Sequence, residues 1–523
     1  MDLKQLTIGF EFGSTRIKAV VINKQHEIIC QSDFLWENQY LNGVWTYGMD
    51  KIVEGMQSTF ADLLKNFEEK FGEKLTTVGA MGISGMMHGY LVFDKEGNLL
   101  APFRTWRNTM TEKASDILTE ELGFAVPQRW SCSHVFQAVM DDLPEVNKID
   151  FATTLAGYIH YRLTGERVVG IGEGSGMFPI DSSTMEFNKE MLAKYNKLIE
   201  GKVSWKLEDI FPRNLVAGVN AGYLTEEGAK FLDPSGTFQP GVPMVPPEGD
   251  MGTGMVCTNS CRIGTGNASI GTSSNVTIIT GKNLPPRKTV DIIASPSGAQ
   301  AALIHVNNGT SDINAWVNLF AEAIELGGGN VSKGELYVRL FNKALEGDPD
   351  CGGLLGYNTS SGEPVLGINE ARPLFLRTPN SVMSLANFMR VVCCNIFAPI
   401  RKGLDILGQD GVRVNKITGH GGYFKTPVVG ARIFSSSVNA EIVTLRSAGE
   451  GGPYGTALLA AYYLFKEENE TLEDYLDNKV FKGASSSIEM ASPAEIEGFE
   501  KFYARYLASL PVEVEAINTL KVE

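Results

Sequence analysis

The chain of 523 residues is long enough for about three domains of roughly 150 residues, so a large core is available without disulfide or metal staples. Its 46 Lys and Arg against 61 Asp and Glu leave a net charge of −15, which repels phosphate backbones and anionic membrane surfaces and argues against a nucleic-acid partner. Hydrophobic residues at 43% and charged residues at 20% are those of an ordinary globular chain, and the 56 glycines are the one excess, pointing to tight turns and close backbone approaches to a ligand. The opening MDLKQLTIGFEFG lacks a basic segment followed by a long apolar run, and no stretch of about 18 apolar residues occurs, so neither secretion nor a membrane span is expected. Seven cysteines at irregular spacing, with no second Cys/His pair beside Cys257 and Cys261, read as reduced thiols and a cytoplasmic location.

In chain order, apolar runs at 7–12 and 17–22 flank Gly13, Ser14 and Thr15, which predicts a hairpin with a polar glycine turn. Residues 51–71 place Ile52, Val53, Met56, Phe60, Leu63, Leu64, Phe67 and Phe71 at helical spacing. A strand is expected over 77–83, leading into a turn at 84–89 (SGMMHG), with another strand from Tyr90 to Phe93. This alternation of strands and helices predicts an α/β architecture. Five prolines between 234 and 247 precede Glu248-Gly249-Asp250, suggesting a domain junction near residue 250. Beyond it, NASIGTSSNVTIIT (267–280) repeats the opening device, an apolar residue, a glycine and two hydroxyl residues before a β-branched strand. That repeat suggests a duplicated domain. Helices are expected at 312–326, ended by glycines 327–329, at 381–407 with a kink or break at Pro399, at 454–465 and at 493–510. The organisation expected is 1–253 and 254–466 as two domains, with 467–523 as a helical extension.

The polar glycine turns are the first candidates for chemistry. Small residues let backbone N–H groups approach an anion, and Ser and Thr hydroxyls add donors, so Gly13-Ser14-Thr15 and Gly271-Thr272-Ser273 read either as ordinary hairpin turns or as a pair clamping a polyphosphate. Two rival motifs are weak. GHGGYFKT (419–426) fails as a P-loop at Phe424, and Gly264-Thr265-Gly266 lacks the later glycine of a dinucleotide fingerprint, where Ser269 stands. Asp250, set among glycines after an extended segment, reads either as a helix cap or as a carboxylate working beside a phosphoryl group. Cys393 and Cys394 fit core packing. His26, His134, His160, His305 and His420 have no clear metal partner, whereas His88 lies in a glycine-flanked turn and is a candidate contact.

The strings GFEFGSTRIKAV, MGISGMMHGYLVFD with APFRTWRN, HYRLTGE, EGDMG, SIGTSSN, TGHGGYFKT and AGEGGPYGTALLAAY resemble, in order and rough spacing, the FGGY carbohydrate kinases over about residues 7–465. Within that family the turn ending in Met87-His88 looks closest to the pentulose kinases, xylulokinase and ribulokinase. The resemblance implies two ribonuclease-H-like domains of the actin and hexokinase type with a cleft between them, binding ATP and a sugar and phosphorylating a sugar hydroxyl. Position by position it implies Asp250 as the base that accepts the hydroxyl proton. It implies Gly13, Ser14 and Thr15, with Lys18 nearby, as one phosphate turn, and Gly271, Thr272 and Ser273 as its partner. Gly421 and Gly422 would lie against adenosine, and Met87, His88, Trp106, Arg107 and Asn108 would hold the sugar, Trp106 being either a sugar platform or a core aromatic. Glu11 stands where the family usually has an Asp that holds Mg²⁺ through water.

Other departures are Met86 for Gln, Asn108 for the Asp of a W-x-D pattern, Glu248 for the first Gly of G-G-D, and Gly362-Glu363-Pro364 without the usual Arg-Thr-Pro. The leading expectation is a ketopentose kinase making a 5-phosphate of xylulose or ribulose, with a small-molecule sugar and ATP as its partners and a homodimer as the base-rate expectation for its assembly. A catalytically silent sugar or nucleotide sensor of the same fold and, on Gly264-Thr265-Gly266 alone, a nicotinamide-dependent oxidoreductase are the competing readings.

Overall fold

In the computed structural model, which describes residues 1–287, 289–445 and 451–521, the first two apolar runs form the expected hairpin, Thr7–Phe12 (β1) and Arg16–Ile22 (β2). Strand Ile28–Leu35 (β3) continues it antiparallel. On the other side of β1, Ala80–Gly85 (β4) pairs parallel, and Glu248–Gly249 (β5) pairs parallel with β4. The sheet order is therefore β5-β4-β1-β2-β3. One row of its register runs Asp33, Lys18, Glu11, Ser84, Glu248.

The strand expected at 77–83 begins three residues later and takes in Ser84 and Gly85, which the glycine pattern had suggested as turn. Parallel pairing to Glu11 and Phe12 on one side and to Glu248 and Gly249 on the other holds them extended.

Side chains alternate across a strand, so β1 presents Ile8, Phe10 and Phe12 to one face and Thr7, Gly9 and Glu11 to the other. The first set joins a core with helix Met49–Phe71 (α1), which buries Ile52, Met56, Phe60, Leu63 and Phe67. Gly72, at φ 71°, ends this helix in the left-handed region and donates its N–H to Glu68 O at 2.8 Å. Two further helices belong here, Ile171–Gly174 (α2) and Asp250–Cys257 (α3), so residue 250 begins a helix. The second face of β1 receives helix Gly452–Phe465 (α4), which is apolar all round and buried from Gly452 to Tyr462.

A second sheet repeats this device. Strands Thr265–Ile270 (β6) and Ser274–Ile279 (β7) form an antiparallel hairpin, and Lys416–His420 (β9) pairs parallel with β6 as β4 does with β1. With Gln300–Val306 (β8), Glu441–Leu445 (β10) and Ser486–Glu489 (β11), six of its seven strands stand in the order β8-β7-β6-β9-β10-β11. The duplication read from the two glycine turns is thus a duplication of strand topology.

The chain divides into two compact units, Met1–Arg262 with Gly281–Ala301 and Glu450–Ala484, and Ile263–Thr280 with Ala302–Gly449 and Ser485–Glu523. Neither is one continuous stretch. Helix α4, expected with the second half, packs in the first unit, and the segment beyond residue 466 is shared by both.

The helix expected at 381–407 runs Leu385–Gln409 and is not broken at Pro399. Its residues from Asn387 to Ile400 are all buried, and that packing outweighs the roughly 3 kcal/mol that an internal proline costs. Helices Ser311–Leu326 and Pro493–Ala508 lie where the spacing put them, the latter opened by a Ser492 and Glu495 capping box. All seven cysteines are buried free thiols, and no helix among the described residues is long and apolar enough to cross a membrane.

A Cβ at Gly9 would fall 2.0 Å from Pro453 O and 2.4 Å from Ala457 N, backbone atoms of α4 that have nowhere to go. Gly9→Ala should therefore cost at least the roughly 1–3 kcal/mol of an overpacked core and lower the thermal midpoint. An unchanged melting curve would mean that α4 does not lie directly on β1.

Candidate active site

Three elements of the first unit meet backbone to backbone. Gly9 lets α4 touch β1, and Gly455 lets it touch α3, where a Cβ would sit 2.1 Å from Thr253 O. The starts of α3 and α4 thereby come to the end of β1. A Cβ at Gly452 would lie 2.1 Å from Glu11 Oε1, so the first residue of α4 leaves room for that carboxylate. Thr456 of α4 donates to Ser84 Oγ at 2.8 Å, fastening the helix to the strand beside Glu11.

Glu11, Lys18 and Asp250 form one electrostatic group. Burial pushes Glu11 up to about 7; its cross-strand neighbour Lys18 opposes the shift and the Asp250 carboxylate adds to it. Asp250, the first residue of α3, is open to solvent on one side, yet loss of bulk water still raises it to about 6. The backbone N–H groups of Met87, Met251 and Asp250 itself hold that value down by favouring the ionised form. At neutral pH Asp250 is thus a carboxylate with a proton affinity well above that of a free aspartate.

Glu248, two residues earlier, does structural work. Burial raises it to about 8, and it accepts the N–H groups of Gly172 (3.3 Å) and Glu173 (3.0 Å) at the start of α2. Cβ atoms at Gly170 or Gly172 would fall 2.2 or 2.4 Å from its oxygens, so these glycines make the cradle that lets Glu stand where the G-G-D pattern has Gly. Burial pushes Glu173 well above the usual carboxylate range, and Asp250 and Glu248 push the same way.

Met87 and His88 are buried beside Asp250, the Met87 amide being its hydrogen-bond donor. His88 has φ 70°, its Nδ1 lies 3.0 Å from Gly176 O, and its ring stacks on Trp130 at 6.5 Å. Burial first, then Arg129 and His134, lower it to about 3 against the pull of the Gly176 carbonyl, so the imidazole is neutral. Nδ1 is then the donor to Gly176 O, and Nε2 is an acceptor.

The remaining sugar-side residues separate. Trp106 donates through Nε1 to Ser14 Oγ at 3.2 Å, which ties it to the glycine turn, and Arg107 lies 3.8 Å from the centre of the Trp45 ring. Asn108 is buried, and its amide is engaged with Trp45 N (2.9 Å), Trp45 O (2.8 Å) and Thr105 O (2.9 Å), so it braces this loop.

In the second unit Gly271 N donates to Ser273 O (3.0 Å), closing the turn. Gly309 N and Thr310 N donate to Thr272 O and Gly271 O, each at 2.8 Å. Gly421, at φ 94°, would bring a Cβ within 2.9 Å of Ile270 O, whereas Gly422 has open space around it. The structure therefore brings the 271–273 turn and the 421–422 loop side by side. Glu363 and Asn308, joined at 3.0 Å, support the 307–310 loop, and burial raises Glu363 to about 7.

The N-terminal domain of the FGGY family of carbohydrate kinases matches residues 6–257, and its C-terminal domain matches residues 266–464. The chain belongs to the FGGY family of carbohydrate kinases.

Among relatives of this kinase, the xylulose kinase of Haemophilus influenzae is 24% identical over 533 residues, covering 96% of this chain and 99% of that protein. The xylulose kinase of Rhodospirillum rubrum superposes with a TM-score of 0.78 at 16% identity, covering 97% of this chain and 98% of that one. The gluconate kinase of Lactobacillus acidophilus gives 0.79 at 16% identity, covering 99% of each chain. At these identities the structural likeness speaks for the fold, the two-domain architecture of the actin and hexokinase class.

Sequence reasoning passed over Ser84, Glu173, Gly452 and the 309–310 loop. The Gly451-Gly452-Pro453 start of α4 carried a readable signal, a glycine pair before a proline at a helix opening. Ser84 and Glu173 carried none, because their roles come from parallel pairing and burial. As Asp250 adds to the proton affinity of Glu11, replacing Asp250 with Asn should move the Glu11 titration midpoint down from about 7. Carbon-13 titration of labelled Glu would detect this, and an unmoved midpoint would place the two carboxylates out of electrostatic reach.

Proposed function

We propose that this carbohydrate kinase transfers the γ-phosphoryl group of ATP to a ketopentose, xylulose or ribulose, giving the 5-phosphate, with Asp250 as general base. The observation that carries this reading is the state of Asp250. It is ionised at neutral pH, raised to about 6 and held by the amide of Met87, the residue before His88. A base with that proton affinity can take the proton of a sugar hydroxyl as its oxygen attacks phosphorus. Phosphoryl transfer otherwise asks for in-line positioning and neutralisation of charge.

In this reading the first unit offers the Gly13 to Thr15 turn to the phosphates, with Lys18 as the nearby cation, and Met87 and the neutral His88 to the sugar. The second unit offers Gly271, Thr272 and Ser273 to the phosphates and the open space at Gly422, beside Gly421, to the adenosine. The names of relatives such as the Haemophilus influenzae xylulose kinase support a pentulose as acceptor. The buried free thiols fit a reducing cytoplasm.

Magnesium fits the donor set. Glu11 and Asp250 are oxygen ligands of like charge, and the bare Gly452 leaves room at Glu11 Oε1. Bound with ATP, the ion would neutralise charge on the transferring phosphoryl group, while Glu11 holds it through water.

The direct test is ADP release with MgATP across a panel of pentuloses and hexuloses, with the product read by phosphorus NMR. A xylulose or ribulose 5-phosphate is expected. Binding of both ligands without ADP release would instead indicate a sensor of the same fold. Asp250→Asn keeps size and most hydrogen bonding but removes the base, so kcat should fall about 10²–10⁴-fold with sugar affinity little changed. Near-normal turnover would remove Asp250 from the chemistry. Glu11→Gln should raise the Mg²⁺ concentration needed for half-maximal rate, while Glu11→Asp stays active. An unchanged Mg²⁺ titration in Glu11→Gln would assign the ion to other residues.

A further inference from the structure

The carbonyl oxygens of Gly13, Ser14 and Thr15 all accept hydrogen bonds. Trp36 Nε1 donates to Gly13 O at 2.7 Å, Tyr47 OH donates to Ser14 O at 2.6 Å, and Trp36 N donates to Thr15 O at 3.2 Å. Trp106 Nε1 donates to Ser14 Oγ at 3.2 Å. Trp36 and Tyr47 are a stacked pair, ring centres 4.1 Å apart and 25° from parallel, and both are buried.

In a trans peptide the C=O and the following N–H point in opposite directions. Pulling Gly13 O and Ser14 O toward the aromatic pair therefore turns the N–H groups of Ser14 and Thr15 away from it. Neither amide has a partner among the described residues. The Ser14 hydroxyl, already an acceptor for Trp106, has its own hydrogen left to donate. Two consecutive free amides on one side of a glycine turn make an anion nest.

We infer that Trp36, Tyr47 and Trp106 are positioning residues that orient the donors of this turn toward a phosphate. None of the three touches the phosphate itself; each acts through an oxygen of the turn. The inference rests on reading the turn as a phosphate site, and it adds what sets the direction of its amides. Nothing in the spacing of residues 36, 47 and 106 points to a common task. Trp106 is a candidate sugar platform in the sequence; its one donor goes to the turn, and its ring remains partly exposed. Burial, the larger influence, pushes the Tyr47 phenol up to about 12 against the nearby Arg107, so its O–H remains a donor through the working pH range.

Calorimetry of the full chain with ATP and with adenosine tests this, because adenosine lacks the phosphates and reports only the nucleoside end. Tyr47→Phe keeps the ring on Trp36 and removes only the O–H. It should weaken ATP by about five- to tenfold, the worth of one oriented hydrogen bond, and leave adenosine affinity unchanged. Trp36→Phe, read the same way, should also lower the ratio of ATP to adenosine affinity; should it not fold, the test stands on Tyr47→Phe. Thr15→Glu, at an exposed position of the turn, checks the underlying reading by placing a carboxylate where the phosphate would lie, and should weaken ATP more than tenfold. If Thr15→Glu weakens ATP while Tyr47→Phe leaves the ratio unchanged, the positioning role is overturned and the phosphate turn survives. If Thr15→Glu leaves ATP binding untouched, the phosphate turn and the positioning role fall together.

Discussion

The arrangement of the first unit depends on backbone meeting backbone. Helix α4 can lie on β1 only because residue 9 is glycine, and it can cross α3 only because residue 455 is glycine. Those two contacts set where α3 and α4 begin. The start of one carries Asp250 and the start of the other leaves space for Glu11, so close backbone packing helps set where the two carboxylates lie. Fully packed interiors transmit such constraints because they have little free volume to absorb a shift.

The electrostatics follow from that geometry. Glu11 and Asp250 are both pushed up by loss of water, and Lys18 opposes the shift at Glu11. Burial raises Glu248 to about 8, so at neutral pH it is largely a protonated acid, and burial raises Glu173 as well. The site thereby keeps one ionised carboxylate open to solvent, backed by groups that brace it. Glu248 ties the start of α2 to the strand that ends at Asp250, and the turn after α2 supplies the carbonyl that orients His88. Asp250 and His88 are therefore linked through a buried carboxyl group.

Much of this was legible in the chain. The alternation 7–12 and 17–22, the helical faces of 51–71 and 493–510, and the repeat of a glycine turn in SIGTSSN each announced an element that the structure contains. The family resemblance drew Asp250, Glu11 and the two turns into one proposal. What was not legible arises from long-range contacts. Ser84 and Gly85 look like turn residues until parallel partners appear on both sides, and Pro399 looks like a helix breaker until its helix is buried all round. Asn108 carries the chemistry of a ligand, yet the backbone of Trp45 takes up its amide. Trp36 and Tyr47 meet at the glycine turn through the sheet and the loop after it, a proximity that spacing does not encode.

The central claim is that Asp250, at the proton affinity this packing imposes, takes the proton during phosphoryl transfer. A single-turnover measurement by rapid quench, with saturating MgATP and sugar, isolates that step from product release. The account predicts that the transfer rate falls as pH drops through the titration of Asp250, approaching tenfold for each pH unit below it. A rate that stays level down to pH 4.5, with both substrates still bound, would contradict it.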